Sequence, residues 1–191
     1  MIHKGYVPFK SSKFHIPCTF LYPADWKVEE TALSEEGNEH KQIFITGPYD
    51  QAGRWSASLT VWALLAPNQT EQEATALFLS SCQSDASYQK LGQASGIVAA
   101  GPATEVEIVH SLPLPVDGGK SEPSLLRERH IFLKRKDYLY ELIYAAAPED
   151  YATWFDTFRI LVWTFCFIEE PIDTAFHPLV KGTMDNASKT E

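Results

Sequence analysis

Three stretches of this chain carry residue types that could do chemistry. Gly118-Gly119-Lys120-Ser121 has the ending of a phosphate-binding loop, in which backbone amides cradle phosphates and the lysine reaches them. The leading glycine of that motif is replaced by Leu114, and the segment neither directly follows a hydrophobic strand nor opens a helix. No nucleotide is expected there. Gly92 to Gly96 could frame a nucleophile, but Ser95 stands off-centre for a nucleophile elbow, and the segment reads as a turn. Glu35, Glu36, Glu39 and His40 gather hard and borderline metal ligands in a polar loop from Ser34 to Lys41. That loop could hold a divalent cation if it folded back on itself, although a solvated acidic loop accounts for the same residues. The six histidines, His3, His15, His40, His110, His130 and His177, include no pair at helical ligand spacing and none beside a cysteine. No catalytic, cofactor-binding or metal residue is therefore assigned, and the chain is read as non-enzymatic, with no cofactor.

The elements that would position such residues are clearest between Arg127 and Ile168. Tyr138, Tyr140, Leu142 and Tyr144 alternate with Leu139, Glu141 and Ile143, the period of two expected of a strand. Arg129, Ile131 and Leu133 alternate with Glu128, His130 and Phe132 before it, and the charged run Lys134 to Asp137 supplies a hairpin loop. Pro148 is suited to a first helical position, with Glu149 and Asp150 where the helix dipole favours negative charge. Tyr151, Trp154, Phe155, Phe158, Leu161 and Val162 then follow helical spacing and form an apolar face. A last strand is expected over Trp163, Phe165 and Phe167, ended by Pro171, with Ile160 to Trp163 suiting either the helix or the strand.

Upstream, Thr19 to Tyr22 reads as a short strand, and Asp25 with Trp26 as a turn whose tryptophan plugs the edge of the core. Ile43 to Thr46 and Ser58 to Leu64 are further strands, the former closed by Gly47 and Pro48. Thr70 and Glu73 have capping-box spacing, with Ala74, Leu77, Phe78 and Ser81 tracing a helical face up to about Cys82. Val106 and Ile108, alternating with Glu105 and Glu107, mark a strand with one wet face. Pro113 to Pro123 reads as a long exposed loop. The sum is an α+β fold, a central antiparallel sheet of about six or seven strands flanked by helices. We divide the chain into an N-terminal arm (1–13), one domain (14–170) and a C-terminal tail (171–191).

At 191 residues, with 45% hydrophobic content, one core is expected. A formal charge of −9 disfavours nucleic acid, whose binding rests on clustered Lys and Arg, and the basic cluster Lys134 to Lys136 reads as a solvated hairpin tip. No apolar run approaches the roughly 20 residues of a membrane span. Met1 to Pro17 lacks the apolar centre of a secretory signal, and Cys18, Cys82 and Cys166 form no CxxC pair. Both point to the cytoplasm, or to a lumenal or periplasmic compartment if a leader has been removed.

Phe20-Leu21-Tyr22-Pro23-Ala24-Asp25-Trp26, Tyr138-Leu139-Tyr140, Tyr151, Trp154-Phe155, Phe158 and Thr164-Phe165 together resemble the PsbP-like family, over roughly Phe14 to Ile168. The resemblance implies a central antiparallel sheet between helical layers, an α/β/α sandwich. It also implies a non-catalytic role as a protein-interaction or scaffold domain. The alternatives it brings are an accessory subunit of a photosynthetic complex that helps retain calcium and a cytosolic adaptor for secreted proteins. The fold is shared with a Ran-binding nuclear-import factor. No family ligand residue maps onto the chain. A protein partner is expected, met by a surface drawn from Glu35, Glu36, Glu39, His40, Pro115, Asp117 and Lys120. Calorimetric titration with Ca²⁺ or Zn²⁺ is expected to show no tight binding; micromolar affinity abolished in Glu36→Ala and His40→Ala would overturn that.

Overall fold

In the computed structural model the residues described are 5–11, 16–35, 38–49, 56–116 and 120–168, with 33–35, 38–39, 113–116 and 120–122 described through their backbone alone. Short strands β1 (Tyr6–Pro8), β2 (Cys18–Thr19) and β3 (Leu21–Pro23) come first, β1 pairing with β3. β4 (Lys27–Glu35), β5 (Asn38–Thr46) and β6 (Ala57–Leu65) form an antiparallel meander. Helix α1 (Glu71–Cys82) leads to a second meander of β7 (Gln89–Val98), β8 (Gly101–Val116), β9 (Lys120–Arg135) and β10 (Tyr138–Ala146). Helix α2 (Tyr151–Thr164) and β11 (Cys166–Phe167), which pairs with β2, complete the fold.

The two meanders join through β10, which pairs with β6 as well as β9, giving one seven-stranded sheet in the order β4-β5-β6-β10-β9-β8-β7. Every neighbouring pair is antiparallel, so β6 and β7 run in the same direction four places apart. A parallel relation needs a crossover. Helix α1 is that crossover, and it covers one face of β8, β9 and β10 through Ala74, Phe78 and Leu79 against Val106, Ile108, Phe132 and Leu139. Helix α2 covers the other face, laying Tyr151, Trp154, Phe158 and Leu161 on Val61, Tyr140, Leu142 and Tyr144. Tyr144 ties the layers together by donating its hydroxyl to the Tyr151 carbonyl at 2.6 Å. Among the described residues no helix is long and apolar enough to cross a membrane.

Local chemistry explains the elements and shifts several expected boundaries. The Thr70 capping box is present: Glu73 N donates to Thr70 Oγ1 at 3.2 Å and Thr70 N to Glu73 Oε2 at 2.8 Å. The buried face of α1 is rotated from the expected one, with Leu77 exposed and Thr75 buried, its hydroxyl donating to Glu71 O at 2.7 Å. Pro148 to Asp150 form a turn rather than the first helical turn. Helix α2 runs on to Thr164, so Trp163 lies on an exposed helical position and the expected last strand shrinks to Cys166–Phe167. The β9–β10 loop is the pair Lys136–Asp137, with Lys136 at φ +52°, the left-handed conformation that two-residue hairpins favour.

Three stretches read from sequence as loops or turns are strands. Ser34, Glu35 and Asn38 to Lys41 belong to the β4–β5 ladder, in which Glu35 opposes Asn38 and Ser34 opposes Glu39. Gly92 to Gly96 lies inside β7. Pro113 to Val116 and Lys120 to Pro123 are the far rungs of the β8–β9 ladder, paired up to Val116↔Lys120. Its prolines share one parity, Pro113 opposing Pro123 and Pro115 opposing Ser121, so a single register lets every missing amide fall on the outer edges rather than in the ladder.

Trp26 is buried and meets Trp154 edge-on, ring centroids 5.7 Å apart, closing the core as expected. Gly47 is required beside it: a Cβ there would come within 2.7 Å of the Ala57 carbonyl and 3.0 Å of the Trp26 ring. Trp154→Ala is expected to cost about 3–5 kcal/mol in urea unfolding, whereas exposed Trp163→Ala stays within about 0.5 kcal/mol. Equal effects would refute this placement of the helix.

Candidate functional site

The charged residues of β8 and β9 alternate as strand geometry demands, and the two parities build different assemblies on the two faces of the sheet. In the run Arg127-Glu128-Arg129-His130, the arginines fall on the α2 side and the glutamate and histidine on the α1 side. Hairpin pairing then brings Glu105 and Glu107 beside the arginines and His110 near Glu128.

On the α1 side, His130 is buried beneath Phe78, ring centroids 4.3 Å apart. Its Nδ1 lies 2.7 Å from Glu141 Oε1 and its Nε2 3.0 Å from Glu128 Oε2. His110 Nε2 approaches the same Glu128 oxygen at 3.1 Å, too obliquely for a hydrogen bond, and its Nδ1 stands 3.9 Å from Asp85. Carboxylates and imidazoles thus alternate from Asp85 through His110, Glu128 and His130 to Glu141. Burial alone would lower the His130 pKa, but hydrogen bonds to Glu128 and Glu141 and their charge lift it to about 9. Burial alone would raise Glu128, but the two imidazoles at its oxygen hold it at about 2.

An imidazolium with both nitrogens on carboxylates is a poor general base near neutrality. The nearby Cys82 thiol is pushed up by burial and by Glu128, Glu141 and Asp85, the reverse of what an activated nucleophile needs. The cluster therefore ties β8, β9, β10 and the turn at Asp85 together by charge beneath the Phe78 ring of α1 rather than arming a reactive group.

On the α2 side, Glu107 receives Arg127 Nε at 2.5 Å and lies 3.4 Å from Arg129, which also reaches Glu105 at 2.8 Å. The guanidiniums stack on α2, Arg127 over Tyr151 at 4.1 Å and Arg129 over Phe155 at 4.7 Å. Beside them opens a cleft of about 320 Å³ lined by Val98, Arg129, Phe155, Arg159 and Trp163. Its cations are already engaged, Arg159 by Asp156 at 3.0 Å and by the Trp163 ring.

No family model matches this chain, nor does any curated protein. Solved structures do. Cyanobacterial PsbP (CyanoP) from Synechocystis sp. PCC 6803 aligns over 85% of this chain and 92% of its own, with 14% identity and a TM-score of 0.54. The chain adopts a PsbP-like fold. PA94 of Pseudomonas aeruginosa, a protein of unknown function, aligns over 87% of this chain and 98% of its own, with 12% identity and a TM-score of 0.53. LpqN, involved in cell envelope biogenesis of Mycobacterium tuberculosis, aligns over 88% and 89%, with 11% identity and a TM-score of 0.50. At these identities the likeness is one of fold.

Within the PsbP-like frame, the residues singled out from sequence fall in two places. Glu35, Glu39 and His40 sit at successive rungs of the β4–β5 hairpin rather than around one loop, and Glu36 lies outside the described residues. Pro115 and Lys120 belong to the far β8–β9 ladder, and Asp117 lies outside the described residues. Lys120 opens a strand where a phosphate-binding lysine would open a helix. Lys134, read as part of a solvated tip, instead donates to the Ala66 carbonyl. The His110–Glu128–His130 assembly was not anticipated, because the histidines stand 20 positions apart and only the register joins them. The alternation of Arg127 to His130 was its visible trace.

The stability that His130 contributes should be complete below its ordinary pKa of 6.5 and fade as pH rises through about 9. Glu128 contributes above its ordinary 4.5 and loses that only as pH falls through about 2. The difference in unfolding free energy between wild type and His130→Gln should therefore shrink steadily from pH 6.5 to pH 9 in urea titrations. A difference that is constant over that window would refute the charged assignment.

Proposed function

We propose that this chain is a non-catalytic protein-interaction domain in which the PsbP-like sheet carries a two-stranded ribbon to a protein partner. The observation behind this reading is where the sheet stops. β7 pairs with β8 only as far as Val109, and β10 pairs with β9 only as far as Arg127, and these two residues form the same rung. Beyond that rung β8 and β9 continue together for seven more pairs, from His110↔Leu126 to Val116↔Lys120. At strand geometry this reaches about 20 Å past the flanking strands.

A ribbon of two strands is marginal in water on its own. This one exposes Leu112 (38%) on one face and Leu125 (50%) on the other, so it offers apolar contacts without a layer to bury them. Pro113, Pro115 and Pro123 remove amides from its edges, which discourages strand addition and leaves the two faces as the natural contact. Pro115 and Lys120, taken from sequence as interaction residues, lie in this ribbon. A role as an adaptor for other proteins fits such an arm.

Affinity capture from the native cell tests the reading. Wild type is expected to retain a partner that is lost from Leu112→Asp/Leu125→Asp and from a variant lacking residues 115–121, while the thermal transition of each variant stays near wild type. Recovery of the same partners by all three forms would show that the ribbon is not the contact.

A further inference from the structure

The two edges of the sheet differ in a way that the ribbon does not explain. β4 carries Lys27, Glu29, Glu30 and Glu35 in nine residues, the charge density with which edge strands resist pairing. β7 carries Lys90 alone in ten residues, has no proline, and is exposed along nearly its whole length. Among the described residues its outer edge pairs with no strand.

From Leu91 to Ile97 the β7 sequence reads apolar, glycine, polar, alanine, polar, glycine, apolar: Leu91-Gly92-Gln93-Ala94-Ser95-Gly96-Ile97. The run is nearly symmetric about Ala94. The bulge between Lys90 and Gly92 lies at its margin and sets the faces. Lys90 and Leu91 both stand with Ile108 on the α1 side, and Gln93, Ser95 and Ile97 follow at the positions of Val106, Thr104 and Pro102. Leu91, Gln93, Ser95 and Ile97 thus share one face, and Gly92, Ala94 and Gly96 the other. Leu91 is 44% and Ile97 86% exposed, so one face carries a partly open apolar side chain at one end and a largely open one at the other.

We propose that β7 is a self-complementary edge that pairs antiparallel with β7 of a second copy of this chain, on a two-fold axis through Ala94. In that register Leu91 opposes Ile97 of the other copy twice over, Gln93 opposes Ser95 with hydrogen-bonding side chains, and glycine opposes glycine. A second copy running in the opposite direction supplies this inverted order at every rung. Directly opposed cross-strand pairs are the unit of sheet stabilisation, and the α1 face gains both apolar pairs at once. On the α2 face, a Cβ added at Gly92 or Gly96 would meet nothing within 4 Å, so small residues leave a second copy unobstructed. No charge lies between positions 91 and 98, so the net −9 of each chain is not concentrated at the contact. The symmetry closes after two copies, because an antiparallel edge consumed on the axis is no longer available.

A contact of one strand per copy is small beside the roughly 1,600 Å² of a standard interface, so the association should depend on concentration, with a Kd on the order of 10–100 μM. Sedimentation equilibrium of the full chain is expected to give 21.5 kDa at low micromolar concentration and to approach twice that mass at several hundred micromolar. The two-fold axis puts residue 94 opposite itself, so Ala94→Lys and Ala94→Glu should each be monomeric throughout. An equimolar mixture of the two should re-associate at least about 10-fold more tightly than either alone, less so at high salt. Ala94 is exposed, and unchanged thermal unfolding of each variant confirms that only the edge was altered. A wild type that stays monomeric across the range overturns the proposal. So does association that Ala94→Lys leaves intact, or a mixture that fails to re-associate.

Discussion

Two meanders of separate sequence origin become one sheet through a single strand. β10 lies between β6 and β9 and is paired to both over all nine of its residues, Tyr138 to Ala146. Without the β6–β10 ladder the first meander would meet the second only through side-chain packing under the helices, with no backbone pairing between them. The composition of β10 suits that position. Tyr140, Leu142, Tyr144 and Ala146 are buried on the α2 side, while Leu139 and Ala145 are buried on the other, so both faces contribute apolar burial. Such a strand is stable only inside a covered sheet, which is why both helices are needed.

Helix α2 completes this constraint in a second way. Its aromatic stripe meets Tyr144 ring to ring as well as aliphatic residues, with Tyr144 at 4.8 Å from Tyr151 and 5.6 Å from Phe158 between ring centroids. The short strands at its ends then act as clamps. Thr164 Oγ1 accepts from Leu21 N at 2.9 Å, and Ile168 N donates to Pro17 O at 2.9 Å. Phe20 stacks between Phe9 and Phe165, at 4.9 and 6.1 Å. Residues from the start of the described chain and from its end therefore converge on one side of the sheet, and Phe9, inside the stretch read as an arm, belongs to the core.

Periodicity exposed what local spacing determines. The β10 alternation, the Thr70 capping box and the aromatic face of α2 are each set by residues within one or two turns of each other, and each is present. What periodicity could not supply is register. Proline and glycine in Pro113 to Pro123 look like loop punctuation, although a proline is harmless to a ladder when its nitrogen faces an unpaired edge. Whether it does so depends on which rung it occupies, and that is decided by the opposite strand. The same ignorance of register hid the His110–Glu128–His130 assembly and made a loop of Ser34 to Lys41. Leu77 faces solvent for a related reason: α1 is laid on the sheet by Ala74, Thr75 and Phe78, and nothing in its own sequence states at which angle.

The three sheet margins now carry distinct chemistry. β4 is guarded by charge, the β8–β9 ribbon by prolines on its edges, and β7 by neither. A free strand edge without protection is a hazard in a soluble sheet unless something occupies it, because its unpaired amides and carbonyls template further pairing. The bulge at Lys90 disrupts one end of β7 but leaves the run from Gly92 onward regular. The ribbon, by contrast, refuses edge pairing while exposing leucines on its faces. One surface is built to meet a backbone and the other to meet side chains. They lie at the same end of the strand order, β7 being the immediate neighbour of β8, so an occupant of either would sit beside the root of the other.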